Sequence, residues 1–253
     1  MATILQVDRL NKRFAGLPAL NDVCFEVGEG QIFGVIGPNG AGKTTLFKII
    51  AGSLEPTSGR VIFRGRDVTG VKAHQAVRAG IARTHQIARP FRSLSVLENV
   101  EVGIRFGCRR GAGNVGQEAL RILELVGLAH AAQAPASTLC VGDQKRLELA
   151  RTLAAGPRLL LCDEVCGGLT EAEMHGVLDL LRRIRELGTT VLYVEHNMKA
   201  IMSSAPPGRS AVATASRSVH GSARSMTSRS TSRSSRPASA SAVLSVQWGA
   251  SPR

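Results

Sequence analysis

Residues 37–45 read GPNGAGKTT and follow the apolar run QIFGVI, so three glycines and a lysine stand where a strand runs out. Glycine reaches backbone conformations closed to other residues, and successive N–H groups of such a loop can turn inward as a nest for a multiply charged anion. The spacing from Gly37 to Gly42, Lys43 and Thr44 fits phosphate: Lys43 reaches the β- and γ-phosphates, and the Thr44 hydroxyl can ligate Mg²⁺. Asn39, Gly40 and Thr45 complete the loop. The following TLFKII reads as a helix whose N-terminal dipole faces the same anion. Asp163 and Glu164 end the segment PRLLLCDE, and acids at the end of an apolar strand point toward the ligand crevice of an α/β sheet. Strand, glycine loop and helix in this order specify a nucleoside triphosphate site rather than an ordinary turn.

The elements that must hold these groups are legible in outline. TILQVDRL, ALNDVCFEV, QIFGVIG and GRVIFRG (59–65) carry strand formers broken by turn residues, which predicts an antiparallel lobe around the loop-bearing strand. IARTHQ is a short strand candidate. From Ser95 to about Gly127 the pattern is helical, most clearly in GQEALRILELVGL, so a mostly helical insertion over about 87–143 is expected. GDQKRLELARTL starts a helix at about residue 143, and PRLLLCDE is a buried strand. EAEMHGVLDLLRRIRELG is a helix with Met174, Val177, Leu178, Leu181, Ile184 and Leu187 on one core-facing stripe. TTVLYVEH, 189–196, is another buried strand, and the alternation predicts a parallel α/β sheet.

Composition narrows the function classes. At 253 residues the chain can bury a sizeable core, and no apolar run approaches the roughly 18 residues that cross a bilayer. The start MATILQVDRLNKRF lacks a signal-peptide core, so a cytoplasmic location is expected. The five cysteines form no CxxC pair and no Cys/His cluster, which leaves reduced thiols as the default. A net charge of +13 would ordinarily point to nucleic acid. However, the stretch from Ser203 to Arg253 holds seven arginines and no Asp, Glu or Lys, so about half of the excess sits in a low-complexity tail. The expected organisation is a nucleotide-binding domain over 1–202 and a disordered Ser/Arg/Ala-rich tail over 203–253.

Further segments carry a family resemblance. A basic stretch with Phe14 precedes the loop; THQ ends at Gln86, LCVGDQ spans 139–144, LLLCDE ends at Glu164 and YVEH ends at His196. In that order and spacing they resemble an ABC ATPase over residues 1–202, and LCVGDQKRLELAR is the most discriminating part, because ordinary P-loop enzymes lack it. IARTHQIARPFRSLSVLENVEVG and VEHNM are similar to the ATP-binding subunits that drive branched-chain amino acid importers. The fold implied is an α/β P-loop NTPase with a parallel core sheet, an N-terminal antiparallel lobe and a helical insertion. The function implied is ATP hydrolysis with Mg²⁺ at the cytoplasmic face of the membrane. The implied partners are a second ATP-binding subunit facing head to tail, integral membrane permease subunits and, indirectly, an extracytoplasmic solute-binding protein, with no nucleic acid. Two alternatives remain beside it: a soluble ABC ATPase acting on nucleic acid or ribosomes, and an ATP-binding regulatory protein with little turnover.

The resemblance assigns roles that the chemistry supports. Mg²⁺ takes hard oxygen ligands and keeps several waters, so Thr44 and Gln86 can bind it directly while Asp163 acts through water. Glu164 is the group to accept a proton from the attacking water or to polarise it, and His196 contacts the γ-phosphate. Phe14 stands where an aromatic stacks on adenine, with core packing as its other use. Cys140, Gly142, Gln144 and the start of their helix would offer N–H groups and a positive dipole end to the γ-phosphate held by the partner, which makes ATP the glue of the dimer.

Several positions depart from the family pattern. Cys140 stands where Ser is usual, Val165 replaces Pro after the catalytic acid, Thr170 stands where many relatives carry Asp or Asn, and His85 replaces Phe. The first two bear on turnover and the third on communication between the two sites. The tail stands where relatives continue with two strands and a helix, so impaired activity is part of the expectation.

Overall fold

The computed structural model describes residues 2–84, 90–107, 113–163, 165, 167, 169–195, 210–218 and 241–245, the last two stretches as backbone. Two long strands open the chain, β1 (Thr3–Phe14) and β2 (Leu17–Gly28), followed by β3 (Ile32–Ile36), α1 (Lys43–Ile50), β4 (Ser58–Phe63), β5 (Arg66–Asp67) and α2 (Ala73–Ala79). Then come β6 (Ile81–Arg83), α3 (Val96–Phe106), α4 (Val115–Val126), α5 (Val141–Ala154), β7 (Leu159–Asp163), α6 (Glu171–Glu186), β8 (Thr190–Glu195), β9 (Ser210–Ser218) and β10 (Ser241–Ser245).

The antiparallel lobe runs β2-β1-β4-β5. Its cause is a period of two: Val23, Phe25 and Val27 are buried in β2, whereas Cys24 and Glu26 between them are exposed. The loop-bearing strand β3 belongs instead to the second sheet, where β3, β8, β7 and β6 lie side by side and parallel. The runs IFGVI, LLLCD and TVLYVE are apolar at successive positions because both faces of this sheet are covered. Phe33, Val35, Leu159, Leu161, Leu192 and Val194 join a core with the lobe and α1. Ile32, Leu160, Cys162, Val191 and Tyr193 face the other way, into a core with α3, α4, α5 and α6. Parallel pairing puts the carboxyl ends of β3 and β7 on one edge, separated only by β8, and that edge carries both the glycine loop and Asp163.

Helix ends differ from expectation in ways that capping explains. Helix α5 starts at Val141, two residues earlier than expected, because Cys140 caps it. Helix α6 ends at Glu186, so Leu187 leaves the expected stripe and is 71% exposed, while Leu180 joins Val177, Leu178, Leu181 and Ile184 in the core. Helix α2 is too short and too polar to show a period; only Ala76 of it is buried. The helical insertion is present as α3 and α4, with Ser95 capping α3 through a reciprocal bond with Glu98.

Two stretches of the 203–253 tail are described: β9 pairs in parallel with β3, and β10 is antiparallel to β9. Without β9 the second edge of β3 would carry unpaired N–H and C=O groups beside the glycine loop. The segments SAVATASRS and SAVLS contain no acid, and β9 lies between β3 and β10, which leaves β10 as an edge strand. The remainder of 203–253 lies outside the described residues. Among the described residues no helix is long and apolar enough to cross a membrane.

Candidate nucleotide site

The loop between β3 and α1 is built on left-handed glycines, with φ of 78° at Gly40 and 85° at Gly42. At Gly42 the requirement is double, since a β-carbon there would sit 2.4 Å from the Ala19 carbonyl oxygen. Gly42 is also the N-cap of α1 and supplies no capping side chain, so the first-turn N–H groups of α1 are left for an external acceptor. Lys43 is 5% exposed and its ammonium donates to the carbonyls of Gly37 at 2.5 Å and Pro38 at 2.9 Å, folded back across the loop. Thr44 and Thr45 are half-buried at the start of the helix, and Asn39 is exposed on the loop.

Asp163 closes β7 and is 1% exposed. Its N–H donates to Thr84 Oγ1 at 3.2 Å, and its Oδ2 accepts from Arg83 Nη2 at 2.6 Å. Among the described residues its Oδ1 has no hydrogen-bond partner, although it is buried. A buried carboxylate oxygen without a donor calls for a cation or water. The donor set therefore fits Mg²⁺: a hard carboxylate oxygen at the end of β7 and the Thr44 hydroxyl at the start of α1, on one edge of the sheet.

The second group of expected binding residues lies on α5. Cys140 is the N-cap, its Sγ accepting from the Asp143 N–H at 3.5 Å, and Gln144 Nε2 donates back to the Leu139 carbonyl at 2.9 Å. Gly142 faces α6, where a β-carbon would meet Glu173 Oε1 at 2.8 Å. Lys145 donates to the carbonyls of Val165 and Gly167, which ties α5 to the chain just after Asp163. No hydrogen bond among the described residues joins Cys140, Gly142 or Gln144 to the 37–45 loop. Phe14, at the end of β1, is 47% exposed with the Lys12 ammonium 5.2 Å from its ring centre, so it is not a core residue. Gln86, Glu164 and His196 lie outside the described residues.

Sequence reasoning passed over four residues: Arg83, Thr84 and Lys145, which hold Asp163 or the chain just after it, and Glu173, which packs against Gly142. Arg83 ends a three-residue strand and Thr84 follows it, where a charged and a hydroxyl side chain read as solvated. Only the register of β6 against β7, which sets Arg83 beside Leu161, brings them to Asp163.

Comparison with known proteins agrees with this geometry. The ABC transporter family model matches residues 20–167. The chain is 38% identical over 214 residues to the high-affinity branched-chain amino acid transport ATP-binding protein LivG of Salmonella typhimurium, covering 79% of this chain and 84% of that one. It is 38% identical over 215 residues to the corresponding protein BraF of Pseudomonas aeruginosa, with the same coverage. Among solved structures, the ADP conformation of MJ1267, an ATP-binding cassette of an ABC transporter, superposes with a TM-score of 0.77 at 27% identity over 85% of this chain and 87% of that one. The dimeric post-hydrolysis cassette MJ0796, bound to ADP and Pi, gives 0.73 at 25% identity over 83% and 94%. A glycine loop and a buried acid on one sheet edge, a capped helix carrying the LCVGDQ segment, and these matches lead to one conclusion: the chain belongs to the ABC transporter family, as an ATP-hydrolysing, ATP-binding subunit.

Proposed function

We propose that this chain powers an importer for branched-chain amino acids or similar small polar solutes, working as one of two ATP-binding subunits on the cytoplasmic face of membrane permease subunits. The single observation that carries the ATPase part is the placement of the Lys43 loop and Asp163 at the carboxyl ends of β3 and β7. The 38% identity to LivG and BraF over most of both chains supports the solute class.

In this reading the loop N–H groups and the first turn of α1 hold the β- and γ-phosphates, and the Lys43 ammonium swings from the Gly37 and Pro38 carbonyls to the phosphate oxygens. Phe14 offers its exposed face to adenine. Thr44, Gln86 and Asp163 would hold Mg²⁺, which when bound neutralises the charge on the phosphates. Glu164 accepts a proton as water attacks the γ-phosphorus; the bond to the bridging oxygen breaks, leaving ADP and inorganic phosphate. His196 contacts the γ-phosphate. The amino end of α5, with Cys140, Gly142 and Gln144, faces the γ-phosphate held by the second subunit, so hydrolysis releases the pair and lets it open.

The test is reconstitution of the chain with its candidate permease subunits and solute-binding protein in proteoliposomes. Uptake of labelled leucine, isoleucine or valine should require ATP on the side of this chain and should vanish with Lys43→Ala. Hydrolysis that ignores both the membrane subunits and the loaded solute-binding protein would contradict the proposal.

A further inference from the structure

The resemblance that names Asp163 gives no role to the residue holding it. Asp163 is gripped twice, by the last residue of β6 and by the one after it: Arg83 Nη2 donates to Oδ2, and Thr84 Oγ1 accepts from the Asp163 N–H. The ion pair is almost wholly buried, with side-chain exposures of 11% for Arg83 and 0% for Asp163. Arg83 uses one nitrogen for this bond, and its buried Nε has no partner among the described residues. On the acid, only Oδ1 is left over, equally buried and equally without a donor. Thr84 Oγ1 in turn donates to the Leu161 carbonyl at 3.4 Å, so the whole grip is anchored to β7 itself.

A pair that served only to stitch β6 to β7 would gain by satisfying both carboxylate oxygens, since a lone buried carboxylate oxygen is costly. Here one oxygen is fixed and the other is kept open. We infer that Arg83 is a positioning residue for the metal-facing acid: it fixes the rotamer of Asp163 through Oδ2, so that Oδ1 is the oxygen presented to the Mg²⁺-nucleotide. This rests on the reading of Asp163 as the acid that faces Mg²⁺. Arg83 touches neither nucleotide nor ion in this account; it acts through Asp163.

The experiment measures the affinity of the purified full chain for a fluorescent ATP analogue in excess Mg²⁺ and in EDTA. The unaltered protein should bind more tightly with Mg²⁺. Arg83→Gln should lose about tenfold of that gain while its affinity in EDTA stays within about twofold, and Arg83→Lys, which keeps a cationic donor, should recover most of the loss. Because the arginine acts through the acid, Arg83→Gln added to Asp163→Asn should change the Mg²⁺ gain no further. That last comparison also serves if Arg83→Gln alone does not fold, since the double variant leaves no buried charge without its partner. A full Mg²⁺ gain in Arg83→Gln, equal losses with and without Mg²⁺, or a further loss in the double variant would each overturn the inference alone. Absence of any Mg²⁺ gain in the unaltered protein would overturn the metal reading and this inference with it.

Discussion

Glu173 on α6 holds the space in which a side chain on Gly142 of α5 would grow: its Oε1 lies 2.8 Å from the position of a β-carbon there. The other oxygen, Oε2, accepts from the Thr170 N–H and hydroxyl, both at 2.8 Å, so Glu173 cannot step aside without giving up the cap of α6. Glycine in the second position of a helix is thus explained by a neighbour, not by its own dihedral angles. Gly142→Ala would ordinarily stabilise a helix by about 1 kcal/mol. Here the gain is expected to be outweighed, with hydrolysis reduced severalfold, and Gly142→Ala should raise the melting temperature in a Glu173→Ala background although it does not in the unaltered chain. Additive melting shifts in the three variants would show that the two residues do not couple.

The same cap gives a pH dependence. The Glu173 carboxyl lies below its ordinary 4.5, chiefly because the Thr170 N–H bonds its ionised form and then because the Thr170 hydroxyl does so, with burial opposing. A group whose folded value is depressed contributes stability that is fully present above the unfolded value and lost as pH falls through the folded one. Thr170→Ala, which removes the hydroxyl and keeps the N–H, should therefore lower stability at neutral pH, and its deficit against the unaltered chain should shrink as pH falls below 4.5. Urea unfolding at several pH values checks this; a deficit that grows on acidification would contradict it.

Cys140 caps α5 through a sulfur 3.5 Å from the Asp143 N–H, a weak acceptor in a place suited to a hydroxyl. Cys140→Ser should raise stability by about 0.5–1 kcal/mol, or roughly 2 °C in Tm, and raise hydrolysis or leave it unchanged. A large fall in activity, read in a steady-state phosphate-release assay, would mean that the thiol is fitted to this position.

Phe14 is half exposed, so its removal should cost little stability. Phe14→Ala is expected to weaken ATP binding severalfold, consistent with loss of a stacking contact of about 1 kcal/mol, while leaving the melting temperature within about 1 °C. Titration of a fluorescent nucleotide against both proteins measures the first, and a thermal melt the second.

Much of this arrangement is legible in the chain because the strongest signals are local. GPNGAGKTT encodes its own left-handed turns at Gly40 and Gly42, and the runs around Val35, Leu161 and Leu192 announce a sheet covered on both faces. What local pattern cannot show is register. The pairing of β6 with β7 carries Arg83 and Thr84 to Asp163, and the packing of α5 on α6 sets Gly142 against Glu173; each partner lies far away in sequence. The same holds in the tail, whose composition rich in Ser, Arg and Ala carries no local sign of the pairing of Ser210–Ser218 along β3 as β9.

The central claim is that nucleotide holding and nucleotide cleavage are separate tasks, with Lys43 proposed to hold and Glu164 to cleave. The most direct measurement is ATP affinity beside single-turnover hydrolysis in the unaltered chain, Lys43→Ala and Glu164→Gln. Lys43→Ala should bind no ATP measurably, while Glu164→Gln should bind as the unaltered chain does and cleave more slowly by about 10²-fold or more. Equal loss of binding in both variants, or cleavage that survives Glu164→Gln undiminished, would contradict the account.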